Sequence, residues 1–413
     1  MASVPWVRSA IFWQIYPLGF TGAPVRPVGD HERVLTHRLR HLVNWLDHLV
    51  ELGCNGLLLG PIFTSTSHGY DTVDWLSVDP RLGDDADFDL LIAEARARGI
   101  RVVLDGVFNH VSAEHPAYRA ALADPAAPEN GLFRIDRSSG EAHPWLFEGN
   151  PDLIALDHAS ERVAERVGEV MRHWLARGAD GWRLDAAYAV DPDFWARVLP
   201  GVRAEFPQAW IFGEMIHGDY QGYAERAGLD SITQYELWKG IWSSLVDINA
   251  WELDHALTRH NALLEHFWPT TFIGNHDVTR IAERVGDERA VLAATVLFTV
   301  GGVPCVYYGD ERAWHGRKED RPGGDDAVRP IYPASPGDLD PAGEPMQRVY
   351  QRLIGVRRRH PWLVDARTET LQKTNAELAY DAVGRDGQRL RVELDLGAAR
   401  AVVRDGAEVV FEA

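Results

Sequence analysis

Residues 100–110 read IRVVLDGVFNH: a short apolar run that ends in an acid, a glycine and then an amide beside an imidazole. An apolar run this short, bounded by turn residues, is the signature of a strand buried on both faces. The chemistry sits just past its C-terminal end. The same design recurs along the chain, in IFWQIYP (11–17), CNGLLLGPIF (54–63), DGWRLDAA (180–187), WIFGEM (210–215), SITQYEL (231–237), TTFIGNHD (270–277) and VPCVYYGDE (303–311). Amphipathic stretches lie between them, such as HRLRHLVNWLDHLVELG (37–53) and ADFDLLIAEARARG (86–99). Eight such strands alternating with helices predict a closed parallel (β/α)8 barrel. An open doubly wound sheet is disfavoured, because no GxGxxG turn follows the first strand.

The barrel is assigned to residues 1–110 and 150–360. Residues 111–149 follow the third strand, rich in Pro, Gly, Asn and Asp, and are too long for an ordinary βα loop. They are read as a small inserted domain over one side of the barrel mouth. From residue 361 to 413 the pattern changes to alternating strands with glycine turns (TETLQKT, ELAYDAVG, RLRVELDLG, ARAVVRDGAEVVFE), which predicts an antiparallel β domain.

Composition narrows the partners. The chain has 413 residues and a formal charge of −19, with no basic stripe. That argues against nucleic acid and against an anionic membrane surface. Cys54 and Cys305 both lie in apolar surroundings and are read as buried thiols. No stretch of 18 apolar residues is present, and the N-terminal residues do not resemble a secretion signal. The expected compartment is the cytoplasm. Fifteen Trp and twelve Tyr are available both for a core and for flat platforms under sugar rings.

In a barrel of this kind the catalytic groups gather at the C-terminal strand ends. Those ends carry Asp105, Asn109 and His110 on the third strand, Arg183 and Asp185 on the fourth, and Glu214 on the fifth. The seventh carries Asn275, His276 and Asp277, and the eighth Asp310 and Glu311. A single acid at such a junction is most simply a helix cap. Several in one mouth repel one another, and a fold keeps them for chemistry or for a metal. No HxH or HExxH spacing supports a metal hydrolase. Two carboxylates are the tools of glycosidic cleavage. Glu214, framed by Trp210, Ile211, Phe212 and Met215, suits a proton donor, since apolar neighbours disfavour its charge. Asp185, two residues after Arg183, suits a nucleophile kept ionised by the guanidinium.

With these residues in place, the chain resembles the α-amylase family of glycoside hydrolases. The matching stretches are DGVFNH, GWRLDAA, GEM and GNHD in that order, with SHGYD (67–71) upstream and VPCVYYGDE downstream. The resemblance implies Asp185 as nucleophile, Glu214 as acid/base and Asp277 as the third carboxylate, gripping sugar hydroxyls. It implies that His110 and His276 hydrogen-bond the sugar, Arg183 orients and ionises Asp185, and Tyr70 stacks under the ring. The implied reaction is retaining hydrolysis of α-glucosidic bonds in short α-glucans or malto-oligosaccharides. A transglycosylase or isomerase with the same chemistry is the alternative, and a glycan-binding protein that has lost catalysis is disfavoured by the three retained carboxylates. Two departures separate the chain from the commonest members. Tyr188 and Ala189 stand where many α-amylases carry Lys and His, and Ser67 stands where many exo-acting α-glucosidases carry Asp. No cofactor is implied. Calcium, which Asn109's counterpart sometimes binds, is not favoured beside so short an insertion.

Overall fold

The computed structural model describes residues 4–413. Eight parallel strands form the barrel: β1 (Phe12–Ile15), β2 (Gly56–Leu59), β3 (Arg101–Gly106), β4 (Gly181–Leu184), β5 (Trp210–Gly213), β6 (Ser231–Ile232), β7 (Thr270–Phe272) and β8 (Val303–Tyr307). Each pairs in parallel with its neighbours in the order β6-β5-β4-β3-β2-β1-β8-β7, and a parallel bridge between Thr233 and Thr270 joins the two ends.

Every barrel strand is buried on both faces, and the period of two sorts its side chains. Phe12, Leu58, Val103, Phe212, Phe272 and Cys305 point inward and pack with one another. Trp13, Leu57, Leu104, Trp182, Ile211 and Val306 point outward into the layer beneath the helices. The lower interior is aromatic: Trp210 stacks on Phe12 at 5.1 Å and on Phe212 at 4.4 Å between ring centroids. Higher up, the inward positions become Gln14, Asp105 and Arg183, all buried. The same alternation that fills the core therefore delivers polar groups to the mouth. Both cysteines are free and buried, and burial pushes their thiols far up.

Three excursions rise above the strand ends. After β2, Phe63–Ser65 and Thr72–Val78 form an antiparallel hairpin whose connection carries Tyr70. After β3, His110–Ser112 pairs with Leu153–Ala155, enclosing a helix (Pro116–Ala123) and a small ribbon. Its closing strand thus lies beyond residue 149, where the sequence pattern places the end of the insertion. The third excursion has no counterpart in the sequence reading. Residues 310–343, after β8, contain only single 3-10 turns.

Two local expectations change. SITQYEL is a strand only at Ser231–Ile232. The Gln234 side chain accepts N–H bonds from Glu236 and Leu237 and so caps a helix over Tyr235–Asp247. The amphipathic run 37–53 is two helices, Leu39–Val43 and Leu46–Leu52. Between them the Asn44 and Trp45 side chains donate to the carbonyls of Ala334 and Pro333, and this docking outweighs the uninterrupted periodicity.

The C-terminal strands β9 (Arg367–Lys373), β10 (Glu377–Val383), β11 (Arg389–Asp395), β12 (Arg400–Asp405) and β13 (Glu408–Glu412) form an antiparallel sheet in sequence order. Its apolar face joins the main core through residues such as Leu378, Val392 and Val403, and Tyr380 bonds Thr299 at 2.7 Å. Among the described residues no helix is long and apolar enough to cross a membrane.

Gly181 opens β4 opposite Trp210, and a Cβ there would be driven into the Trp210 carbonyl. The neighbour is backbone in a closed sheet and has nowhere to go. Gly181→Ala is expected to lower unfolding free energy by about 1–3 kcal/mol, read as the midpoint of urea unfolding. An unchanged midpoint would mean that β4 and β5 part freely at this end.

Candidate active site

The register of the sheet assembles the site. Arg183 stands directly opposite Asp105 on β3 and Phe212 on β5. Asp185 and Glu214 each follow two residues after an inward position, so they continue the same face over the strand ends. The Arg183 guanidinium, 3% exposed, is the hub. Its Nη1 donates to Asp105 Oδ1 and Oδ2 at 2.7 and 2.6 Å and to Asp185 Oδ1 at 3.1 Å. Its Nη2 lies 2.6 Å from Glu214 Oε1.

Glu214 is held from two further sides. Its Oε2 accepts the Ala186 N–H at 3.1 Å, and its Oε1 accepts the Tyr235 hydroxyl at 3.2 Å. Ala186 adopts a left-handed backbone (φ 45°, ψ 38°) directly after Asp185, a conformation that costs a non-glycine residue about 1–2 kcal/mol. Tyr235 in turn accepts from Asn275 Nδ2 at 2.8 Å, and Asn275 Oδ1 accepts the Asp277 N–H at 2.9 Å. One hydrogen-bonded chain thus links the acids of strands β5 and β7.

Asp277 has cationic and imidazole partners of its own. Arg329 Nη2 donates to its Oδ1 at 2.7 Å, and His276 Nε2 lies 3.0 Å from its Oδ2. Gln14 Nε2 faces His276 Nδ1 at 3.3 Å, which makes Nδ1 the acceptor and leaves the Nε2 proton toward Asp277. The Tyr70 hydroxyl also meets His276 Nε2 and donates to Asp105 Oδ2 at 3.1 Å. The Tyr70 and His276 rings lie parallel within 2°, with centroids 5.1 Å apart. His110 Nε2 donates to the Tyr70 carbonyl at 2.8 Å, its Nδ1 faces Asn109 Nδ2 at 3.1 Å, and Phe147 stacks on its ring at 4.5 Å.

The charges follow from this wiring. Burial and the neighbouring Glu214 raise the Asp185 carboxyl well above its ordinary range, and Arg183 does not offset them. Arg183 does favour the charged form of Asp185, as the sequence suggests, but it is shared with Asp105 and Glu214, and burial with the Glu214 charge outweighs it. Burial also raises Asp105 despite Arg183. Burial opposes the charge on Asp277 too, but His276 and Arg329 outweigh it and hold that carboxyl well below the usual range. Burial lowers His110 to about 4, so its imidazole is neutral at physiological pH.

Together these groups line a cavity of about 550 Å3 that contains Tyr70, His110, Asp185, Glu214 and Asp277. Arg183 and His276 do not line it but bond Asp185 and Asp277, which do. Its remaining wall holds residues the sequence reading missed: Phe147 and Glu148 from the insertion, Tyr235 and Trp238 from the helix after β6, and Lys318, Asp325 and Arg329 from the segment after β8. Tyr235 falls inside the stretch read as the sixth strand, Phe147 and Glu148 lie in the insertion, and the segment after β8 carries no periodicity to mark it. Asp310 and Glu311 turn away from the cavity. Asp310 pairs with Arg280 at 3.0 Å, and Glu311 accepts the Tyr332 hydroxyl at 2.6 Å. Glu236 is bound to Arg259 and Asp219 caps a helix, so neither lines the cavity. A second cavity of about 680 Å3 opens near the N-terminal strand ends, beside Trp210 and Trp268. Its charged groups are already paired, Glu225 with His266 and Asp230 with Arg203.

Residues 14–384 match the family model described as the α-amylase catalytic domain. Neopullulanase 2 of Thermoactinomyces vulgaris is 32% identical over 334 residues, 74% of this chain and 57% of that protein. The intracellular maltogenic amylase of Bacillus subtilis is 28% identical over 338 residues, 76% of this chain and 57% of that protein. The chain therefore spans little more than half the length of these relatives. Among solved structures, the cyclic α-maltosyl-(1→6)-maltose hydrolase of Arthrobacter globiformis superposes with a TM-score of 0.82 at 26% identity, covering 96% of this chain and 92% of that one. Matched over nearly its whole barrel, the chain belongs to the α-amylase family of glycoside hydrolases.

Proposed function

We propose that the protein is a retaining glycoside hydrolase that cleaves α-glucosidic bonds in short α-glucans. The observation that carries this reading is the convergence of Asp185, Glu214 and Asp277 on one cavity, with Arg183 bonded to the first two. Asp185 attacks the anomeric carbon while Glu214 gives its proton to the departing oxygen; the glycosidic bond breaks as an ester to Asp185 forms. Glu214 then takes a proton from water, the water oxygen bonds to the anomeric carbon, and Asp185 leaves as carboxylate. Asp277, held ionised by His276 and Arg329, accepts hydroxyls of the sugar that bears the developing positive charge. The size of the cavity is that of a small-molecule site, which favours oligosaccharides over polymer. The cyclic maltosyl-maltose named as substrate of the Arthrobacter globiformis hydrolase supports the same reading; we place the activity in the cytoplasm, and the Bacillus subtilis relative is named as intracellular.

No metal enters this mechanism. Asn109 turns its amide nitrogen to His110. Among the described residues the cluster with metal-like spacing, His37, Asp84 and Asp87, lies away from the cavity and already binds Arg40. Activity is therefore expected to stay within about twofold after dialysis against a chelator, given the two-carboxylate chemistry. A loss restored by added calcium would assign the ion a role.

Asp185→Asn should cut turnover of maltotriose by roughly three orders of magnitude or more while circular dichroism stays unchanged. Retention of a tenth of the activity would remove Asp185 as nucleophile. The first-formed sugar, followed by NMR, should carry the α-anomer of the substrate; the β-anomer would overturn retention. Products longer than the substrate would show the intermediate passing to a sugar instead of water.

The pH profile tests the electrostatics. Asp185 must be ionised to attack, and its carboxyl is raised, so activity should climb with pH at an acidic limb above the ordinary aspartate range. Because the carboxylates interact, that limb belongs to the coupled group. A limb in kcat/KM at or below the usual aspartate value would contradict the sharing of Arg183 described above.

A further inference from the structure

Tyr235 is the first residue of the helix over Tyr235–Asp247, whose start the Gln234 side chain caps. Its ring is buried, packed edge-on against Phe272 at 4.8 Å and Trp238 at 5.6 Å between centroids. The hydroxyl at its tip sits in a chain whose polarity can be read atom by atom. The Asp277 backbone N–H donates to Asn275 Oδ1 at 2.9 Å, which fixes the amide and leaves its Nδ2 to donate to the Tyr235 oxygen at 2.8 Å. The Tyr235 proton is then directed to Glu214 Oε1 at 3.2 Å. Burial and the charges of Glu214 and Asp277 hold the phenol far above its ordinary range, so it stays a donor. Arg183 Nη2 lies 2.6 Å from the same Oε1. Oε1 therefore meets two hydrogen-bearing groups, one for each lone pair. Among the described residues Oε2 accepts a single donor, the Ala186 N–H, at 3.1 Å.

We propose that Tyr235 is a positioning residue for the proton-transfer steps: its hydroxyl, aimed by Asn275, confines the proton of Glu214 to Oε2. The inference rests on the function proposed above. A proton on Oε1 would point at the hydrogens of Arg183 and Tyr235, so the acid form of Glu214 has its C=O at Oε1 and its O–H at Oε2. When the glycosidic oxygen takes that proton, the electrons of the O–H bond stay on the carboxylate, and those of the broken glycosidic bond leave with the sugar oxygen. The new charge spreads to Oε1, where the Tyr235 hydroxyl and Arg183 are already in place and need no reorganisation. Tyr235 thus bonds the transition state more strongly than the resting acid. In the second step Oε2 takes a proton from water under the same constraint. Arg183 is shared with Asp105 and Asp185, whereas the Tyr235 proton is given to Glu214.

Tyr235→Phe keeps the ring between Phe272 and Trp238 and removes only the hydroxyl. Its kcat/KM is compared with that of the wild type on maltotriose and on α-maltosyl fluoride, two donors with the same glycosyl part. This ratio reports cleavage of the donor, and fluoride departs with little need of a proton. The variant should lose roughly ten- to a hundredfold on maltotriose, about what one hydrogen bond to a charged group contributes, and less than about threefold on the fluoride. Asn275→Ala, which leaves the hydroxyl free to turn, should show the same split with a smaller loss. Equal losses on both donors would make Tyr235 structural, and no loss on maltotriose would make it idle; either result overturns the inference alone. A wild-type protein that cleaves neither donor, or a Glu214→Gln variant that loses no more on maltotriose than on the fluoride, would overturn the functional reading beneath it.

Discussion

A single buried guanidinium must satisfy more carboxylates than it can neutralise. Arg183 bonds Asp105, Asp185 and Glu214, and all four side chains are buried. Such a cluster cannot carry all its negative charges in a low-dielectric interior, so protons stay where the guanidinium reaches least well. Asp185, at 3.1 Å, is the least favoured of the three by distance, and its carboxyl is the one raised well above its range. Arg183 is thus both scaffold and charge regulator. Removing one partner from a buried ionic cluster costs about 3–5 kcal/mol. A neutral residue at position 183 would strip the acids of their common partner while leaving the β-barrel hydrogen bonds intact.

Asp277 escapes this competition because a different part of the chain serves it. Arg329 comes from the irregular segment after β8. It donates to Asp277 and to the His276 carbonyl, and its guanidinium lies over the Tyr16 ring at 4.7 Å. The site therefore holds carboxylates in opposite states within one cavity: Asp185 raised by burial and the neighbouring Glu214, Asp277 depressed by a dedicated imidazole and arginine. Environments that push carboxylates apart in this way divide the labour of acid, base and electrostatic support.

The barrel supplies direction and the excursions supply shape. Strand alternation sends Asp105, Arg183, Asp185 and Glu214 into one mouth whatever the loops do. The hairpin with Tyr70, the insertion with Phe147 and Glu148, and the segment with Lys318 and Arg329 wall that mouth into a cavity of about 550 Å3. Loops carrying specificity on a rigid scaffold are the rule for this architecture.

The eight apolar runs, their helical spacers and the alternating tail were enough to read a barrel followed by an antiparallel sheet, because strand burial and strand alternation are local periodicities. Asp185 and Glu214 were legible for the same reason: a residue two places beyond an inward position must face the mouth. Local pattern misled at two places: the Gln234 side chain capped a helix start inside QYEL, and Trp45, reaching the distant Pro333, split a continuous amphipathic run. The pairing of Arg183 with Asp105 and Glu214 depends on register across three strands, so the charge state of Asp185 belonged to the tertiary structure alone. So did Arg329, Glu148 and Tyr235, which reach the cavity from an irregular segment, a strained turn and a helix. Sequence spacing determines which way a strand residue points; only the closed barrel decides which charges meet and how they share a proton.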